Sequence, residues 1–180
     1  TITNAVVAIT GTEAGESIDS LSLTNAVAVT KITTNLLDSV LTSATGIAAR
    51  GGDDQVVNAA PLGAQASNTL DVPLKYSEAE ATAVSLGIDG GTGEDLISNE
   101  ANLVSTAIAD MYIGEFYLGI DASVKGWPRL ALAKGTGIDG GGERDTITNS
   151  GPLTVTVRST NKVTKVTVDM VNAPVGLLDR

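Results

Sequence analysis

An apolar residue two places before an asparagine recurs along this chain, at Asn4, Asn25, Asn58, Asn99, Asn149 and Asn172. Three of these asparagines close units of equal length: GIAARGGDDQVVN from Gly46, GIDGGTGEDLISN from Gly87 and GIDGGGERDTITN from Gly137. Self-similarity of this kind marks an architecture in which each unit buries its apolar face against its neighbours. Runs such as Leu153-Thr154-Val155-Thr156-Val157 alternate apolar with polar residues, the period of a half-buried strand. Together these features predict an all-β chain, a parallel β-helix or β-solenoid. The six asparagines are expected to form a structural ladder at a coil corner, where an amide offers donors and acceptors to the coils on either side. The alternative is six asparagines in unrelated turns, which the co-travelling apolar residue disfavours.

Successive asparagines lie 21, 33, 41, 50 and 23 residues apart. A bare coil of three strands takes about 20 residues, so the longer spacings predict coils carrying loops, near residues 32–45, 67–83 and 110–130. Five to six coils in a single domain spanning residues 1–180 are expected. The chain opens at Thr1 in a strand-like segment, which suggests a processed chain or a segment of a longer repeat protein. Asn35 to Leu41 permits one short helix. At Ser77 and Glu80 a capping box competes with strand alternation, and both readings stay open.

Composition narrows the chemistry. Cysteine and histidine are absent, which removes disulfides, thiolate nucleophiles, the usual zinc sites and histidine bases. A net charge of −10 argues against nucleic acid and favours cations as partners. No run of 18 apolar residues is present, so no membrane span is expected.

Gly90-Gly91-Thr92-Gly93-Glu94-Asp95-Leu96-Ile97-Ser98 fits the pattern G-G-x-G-x-D-x-U-x. Here the chain resembles the calcium-binding nonapeptide of RTX proteins, secreted bacterial parallel β-rolls. The copy at Gly140 has Glu143 in place of the fourth-position glycine, and the copy at Ala49 lacks the opening glycine pair. All three keep an aspartate at the sixth position: Asp54, Asp95 and Asp145. The resemblance implies calcium held by these aspartates, with Asp89 and Asp139 as a second column, and by backbone carbonyls of the turn at Gly91 and Gly93. Arg144 and Arg50, beside the aspartates, can replace a cation in part of the column. The competing reading takes the glycines as a tight corner and the aspartates as its caps, bonding to nearby backbone.

Four of the five aromatic residues, Tyr112, Phe116, Tyr117 and Trp127, fall in the longest expected insertion. They serve either to pack that loop on the solenoid or as a binding and assembly surface. Candidate catalytic groups for a carbohydrate-active β-helix enzyme, Asp110, Glu115, Asp121, Lys125 and Arg129, cluster in the same stretch and not on successive strands. A non-enzymatic reading follows: a structural or adhesive extracellular or cell-surface module, stabilised by calcium and able to assemble into filaments or surface fibres. Its expected partner is itself, end to end or laterally, or a cell-surface glycan or protein. The alternative is a carbohydrate-active enzyme or glycan-binding module.

Overall fold

The computed structural model describes residues 4–13, 17–20, 26–33, 39–72, 79–113, 116–119, 129–163 and 166–169. These residues are all strand and turn, wound as a parallel β-solenoid. Coil 1 contains β1 (Asn4–Glu13), β2 (Ser17–Ser20) and β3 (Ala26–Thr33). Coil 2 contains β4 (Ser39–Ala48), β5 (Gln55–Asn58) and β6 (Leu62–Val72). Coil 3 contains β7 (Ala79–Asp89), β8 (Leu96–Asn99), β9 (Leu103–Ile113) and β10 (Phe116–Gly119). Coil 4 contains β11 (Arg129–Asp139), β12 (Thr146–Asn149), β13 (Leu153–Val163) and β14 (Val166–Asp169). Corresponding strands stack in parallel into three four-stranded sheets, β1-β4-β7-β11, β2-β5-β8-β12 and β3-β6-β9-β13, while β14 pairs with β10.

Among the described residues there are thus four coils, where spacing predicts five to six. The figure of about 20 residues per coil fails because two of the three strands are long. Half of the expected loop at 32–45, residues 39–45, is strand β4, and residues 67–72 and 79–83 belong to β6 and β7. Val40 and Leu41 lie in β4, so the short helix expected up to Leu41 does not form there. Glu80 likewise is in β7, which settles that position for the strand.

The core explains why alternation is faint to the eye. Inward positions of β6 and β7 are mostly small, with Ala64, Ala66, Ala79, Ala81 and Ala83 buried, so the two long sheets face each other across a thin layer. At the corner beside the short sheet the core thickens around Ile47, Val56, Leu62, Ile88, Ile97 and Leu103. The glycine that opens each repeat unit makes room for that corner. A Cβ at Gly87 would meet the Gly137 carbonyl of the next coil and lie 2.9 Å from Leu103 Cδ1.

Candidate functional site

The sequence repeat maps onto one corner, between the first long sheet and the short sheet. Asp54, Asp95 and Asp145 stand in a column immediately before β5, β8 and β12, whose strands pair in register. Asp54 and Asp95 are buried. Asp95 Oδ1 accepts the Asp54 backbone N–H at 2.8 Å, and Asp145 Oδ1 accepts that of Asp95 at 3.0 Å. The Asp95 and Asp145 carboxylates therefore each hold the main chain of the coil before.

Asp89 and Asp139 pair in the long sheet and form the second column. Each caps its own turn: Asp89 Oδ1 accepts the Gly91 N–H at 3.2 Å and Asp139 Oδ1 the Gly141 N–H at 3.1 Å. Burial raises the pKa of Asp89. The Gly91 hydrogen bond opposes that shift, and the like charges of Asp139 and Asp95 reinforce it.

The glycine-rich turns stack backbone on backbone. Thr92 N donates to Arg50 O at 3.0 Å, Gly52 N to Thr92 O at 2.8 Å and Gly142 N to Gly91 O at 3.0 Å. Two positions per turn need positive φ. The first is Arg50 (75°), Gly91 (87°) and Gly141 (89°); the second is Gly52 (108°), Gly93 (131°) and Glu143 (80°). The two non-glycines stand where the copies depart from the full motif, so the departures change residues without changing the turn's path. At Gly91 and Gly93 a side chain is also excluded by space, since a Cβ would collide with the carbonyls of Arg50 and Gly52. Arg144 reaches Glu94 of the coil below at 3.7 Å, an exposed pair of small energetic weight, instead of Asp145.

Calcium takes six to eight oxygens. Among the described residues no three carboxylates come together in a way that could hold a metal ion. Asp89, Asp95, Asp139 and Asp145 each give one oxygen, Oδ1, to a backbone N–H, so these carboxylates act as caps in the described arrangement. The second oxygen of Asp95, Oδ2, is buried and has no hydrogen-bond partner.

The asparagine ladder runs along the other end of the short sheet. Asn58 and Asn99 are fully buried; Asn58 Nδ2 donates to Asn99 Oδ1 at 2.5 Å, and Asn99 Nδ2 to Asn149 Oδ1 at 2.6 Å. Their backbone carbonyls serve the same purpose. Asn58 O accepts N–H bonds from Glu100 and Ala101, and Asn99 O from Ser150 and Gly151. Three of the six expected members are therefore in place. Asn4 instead opens β1, in a different sheet, and the residue of coil 1 that stacks on Asn58 is Ser20. Asn25 and Asn172 lie outside the described residues. The reason is the first corner: coil 1 goes from β1 to β2 through residues 14–16, where the next coils use 49–54, 90–95 and 140–145. In sequence, three residues between β1 and β2 are too few for a copy of the glycine-rich repeat.

The described aromatic residues are on strands and not gathered in a loop. Tyr112 is on β9 and half-exposed, and Phe116 and Tyr117 are on β10, while Trp127 lies outside the described residues. Of the candidate catalytic groups, Asp110 is buried and bound by Arg158 at 2.6 Å, and Arg129 opens β11; Glu115, Asp121 and Lys125 lie outside the described residues. Sequence reading missed the polar braces of the core. Buried Asn68 donates from Nδ2 to Val40 O at 2.7 Å and to Thr82 O at 3.1 Å, tying one long sheet to the other. Ser85 and Ser105, both buried, share a 2.7 Å hydrogen bond across the same layer. The available signal is a polar residue on the inward phase of the alternation, as at Asn68 between Ala66 and Leu70.

Among the described residues no helix is long and apolar enough to cross a membrane. Compared with protein families, curated proteins and solved structures, the chain matches none of them.

Proposed function

We propose that this chain is a structural module of the extracellular or cell-surface kind, a self-assembling rod segment without catalytic activity. One observation carries the reading: the polar groups that the repeat preserves are spent on joining coil to coil. Asn58, Asn99 and Asn149 bond to one another, and Asp95 and Asp145 bond to the backbone of the coil before. A site built to bind a small molecule keeps some polar groups directed at the ligand; here they are directed along the solenoid axis. The resemblance to secreted β-rolls agrees with a module placed outside the cell.

Electron microscopy of the purified chain over a range of concentrations tests the reading, with rods or fibres as the expected result. Compact monomers at every concentration, or turnover of a polysaccharide, would overturn it. Calcium is tested separately by stripping metal, adding millimolar calcium and following Tm in the wild type and in Asp95→Asn. Caps predict no calcium response in either, and Asp95→Asn, which keeps the acceptor for Asp54 N–H and removes a buried charge, within about 1 kcal/mol of wild type. A calcium-dependent rise in wild-type Tm that Asp95→Asn abolishes would place the ion in the aspartate column.

A further inference from the structure

Coil 4 ends the described solenoid with its inward columns uncovered. Ile147, Leu153 and Val157 are 47%, 41% and 49% exposed, whereas Ile97, Leu103 and Ala107, one coil below in the same columns, are fully buried. Val155 is 43% exposed over buried Ser105. The polar ladders are open in the same direction. In the coils below, each ladder asparagine and each corner aspartate donates upward, and among the described residues the Asn149 amide and the Asp145 N–H find no acceptor. The far half of this edge is protected: Ala131 N donates to Asn161 Oδ1 at 3.1 Å and Ala133 N to Ser159 Oγ at 2.9 Å. The corner half, from Gly135 through β12 to Val157, has no such caps.

The edge strands at the opposite end of the three sheets are β1, β2 and β3. All pairings are parallel, so a second molecule placed with coil 1 on coil 4 continues each sheet in the same sense. Register gives that placement a fit. Ile18 falls in the column of Val56, Ile97 and Ile147, and Ser20 in the column of Asn58, Asn99 and Asn149. Bulk alternates as well. Coil 4 has Gly135 in the column where coil 1 has Ile9, and Val155 and Val157 where coil 1 has Ala26 and Ala28.

We propose that the occupant of this end is a second copy of the chain, stacked head to tail through the corner half, with β2 of one molecule pairing with β12 of the next. The inference rests on the structural reading above and deepens it by naming the partner and register. Such a contact is heterologous and does not close, so it propagates. The chain has no native cysteine, which permits a direct test: Ser20→Cys with Asn149→Cys in the full chain, oxidised and run on a denaturing gel. Within one molecule these positions are three coils apart, about 14 Å, beyond the ~7 Å reach of a disulfide. Stacking therefore gives a ladder of dimers, trimers and longer species, and each single variant, alone, gives none of the longer species. Val157→Lys, added on an already half-exposed residue, should cut that ladder about tenfold while circular dichroism shows the coils intact.

A double variant that stays monomeric overturns the proposal, whether a later segment of the chain or nothing covers coil 4. Cross-links that join only position 149 of one molecule to position 149 of another overturn it in favour of symmetric packing. Fibres of the wild type without a ladder linking positions 20 and 149 would sink this register while leaving the structural reading standing. No assembly of any kind would sink both.

Discussion

Glu143 adopts φ of 80° where Gly52 and Gly93 stand in the coils below, with its side chain exposed. A left-handed backbone costs a non-glycine residue about 1–2 kcal/mol, so Glu143→Gly should stabilise the chain by about 1 kcal/mol, measured as a rise in Tm. Gly93→Ala at the same position one coil lower should be strongly destabilising, because its Cβ meets the Gly52 carbonyl. Asp89 supplies a pH signature. Its pKa is raised in the folded state, so folding favours its protonated form, and its contribution is present at low pH and lost as pH rises through the folded value. Asp89→Asn keeps an acceptor for the Gly91 N–H and removes the partly buried charge. The variant should therefore be more stable than wild type at neutral pH, with the gap closing as both are acidified toward the ordinary aspartate value of 3.8. Parallel melting curves across that range decide it.

At the scale of the element, the ladder predicts a gradient of effects. Asn99 both accepts and donates in a fully buried site, so Asn99→Ala strands the amide of Asn58 and should cost about 1–3 kcal/mol or more. Asn149 is exposed at the end, and Asn149→Ala should cost clearly less. The lower end is incomplete: Asn58 Oδ1 is buried without a hydrogen-bond partner, above the register position of Ser20. Ser20→Asn should lengthen the ladder by one rung and raise the unfolding midpoint in urea. How much is readable in the sequence follows from the same rungs. Asn58, Asn99 and Asn149 are legible because each closes a unit of fixed length that runs through the glycine turn, even though 41 and 50 residues separate the rungs. Asn4 misleads because a two-residue apolar-to-asparagine spacing is common to any strand, and the shortened first corner leaves no turn to anchor the count. The start of β7 passes for a loop because its inward residues Ala79, Ala81 and Ala83 are too small for alternation to register as hydrophobic, and the end of β6 because polar Asn68 sits on the inward phase.

For the whole molecule, each coil touches only its neighbours, so stability is a sum of coil interfaces and protection should fall toward a free end. Hydrogen exchange at low protein concentration should find the amides of β8 slower than those of β12. Raising the concentration should slow β12 selectively if copies stack, and equal rates for β8 and β12 at every concentration would contradict an open coil 4. A calcium site is less legible than the fold for a physical reason: a glycine turn with an aspartate has the same sequence whether its oxygens face a cation or the next coil's N–H groups, and only the stacking decides between them.

The first corner passes through residues 14–16 where later ones need 49–54 or their equivalents, yet β1 stays in step with β4 and β2 with β5. Contour length per turn is thus free to vary while the pitch is locked by the strand-to-strand distance of about 4.8 Å. Distance along the axis is metered by counting strands, whatever length of chain runs between them. Residues can be added to or taken from a turn of this solenoid without making it longer or shorter.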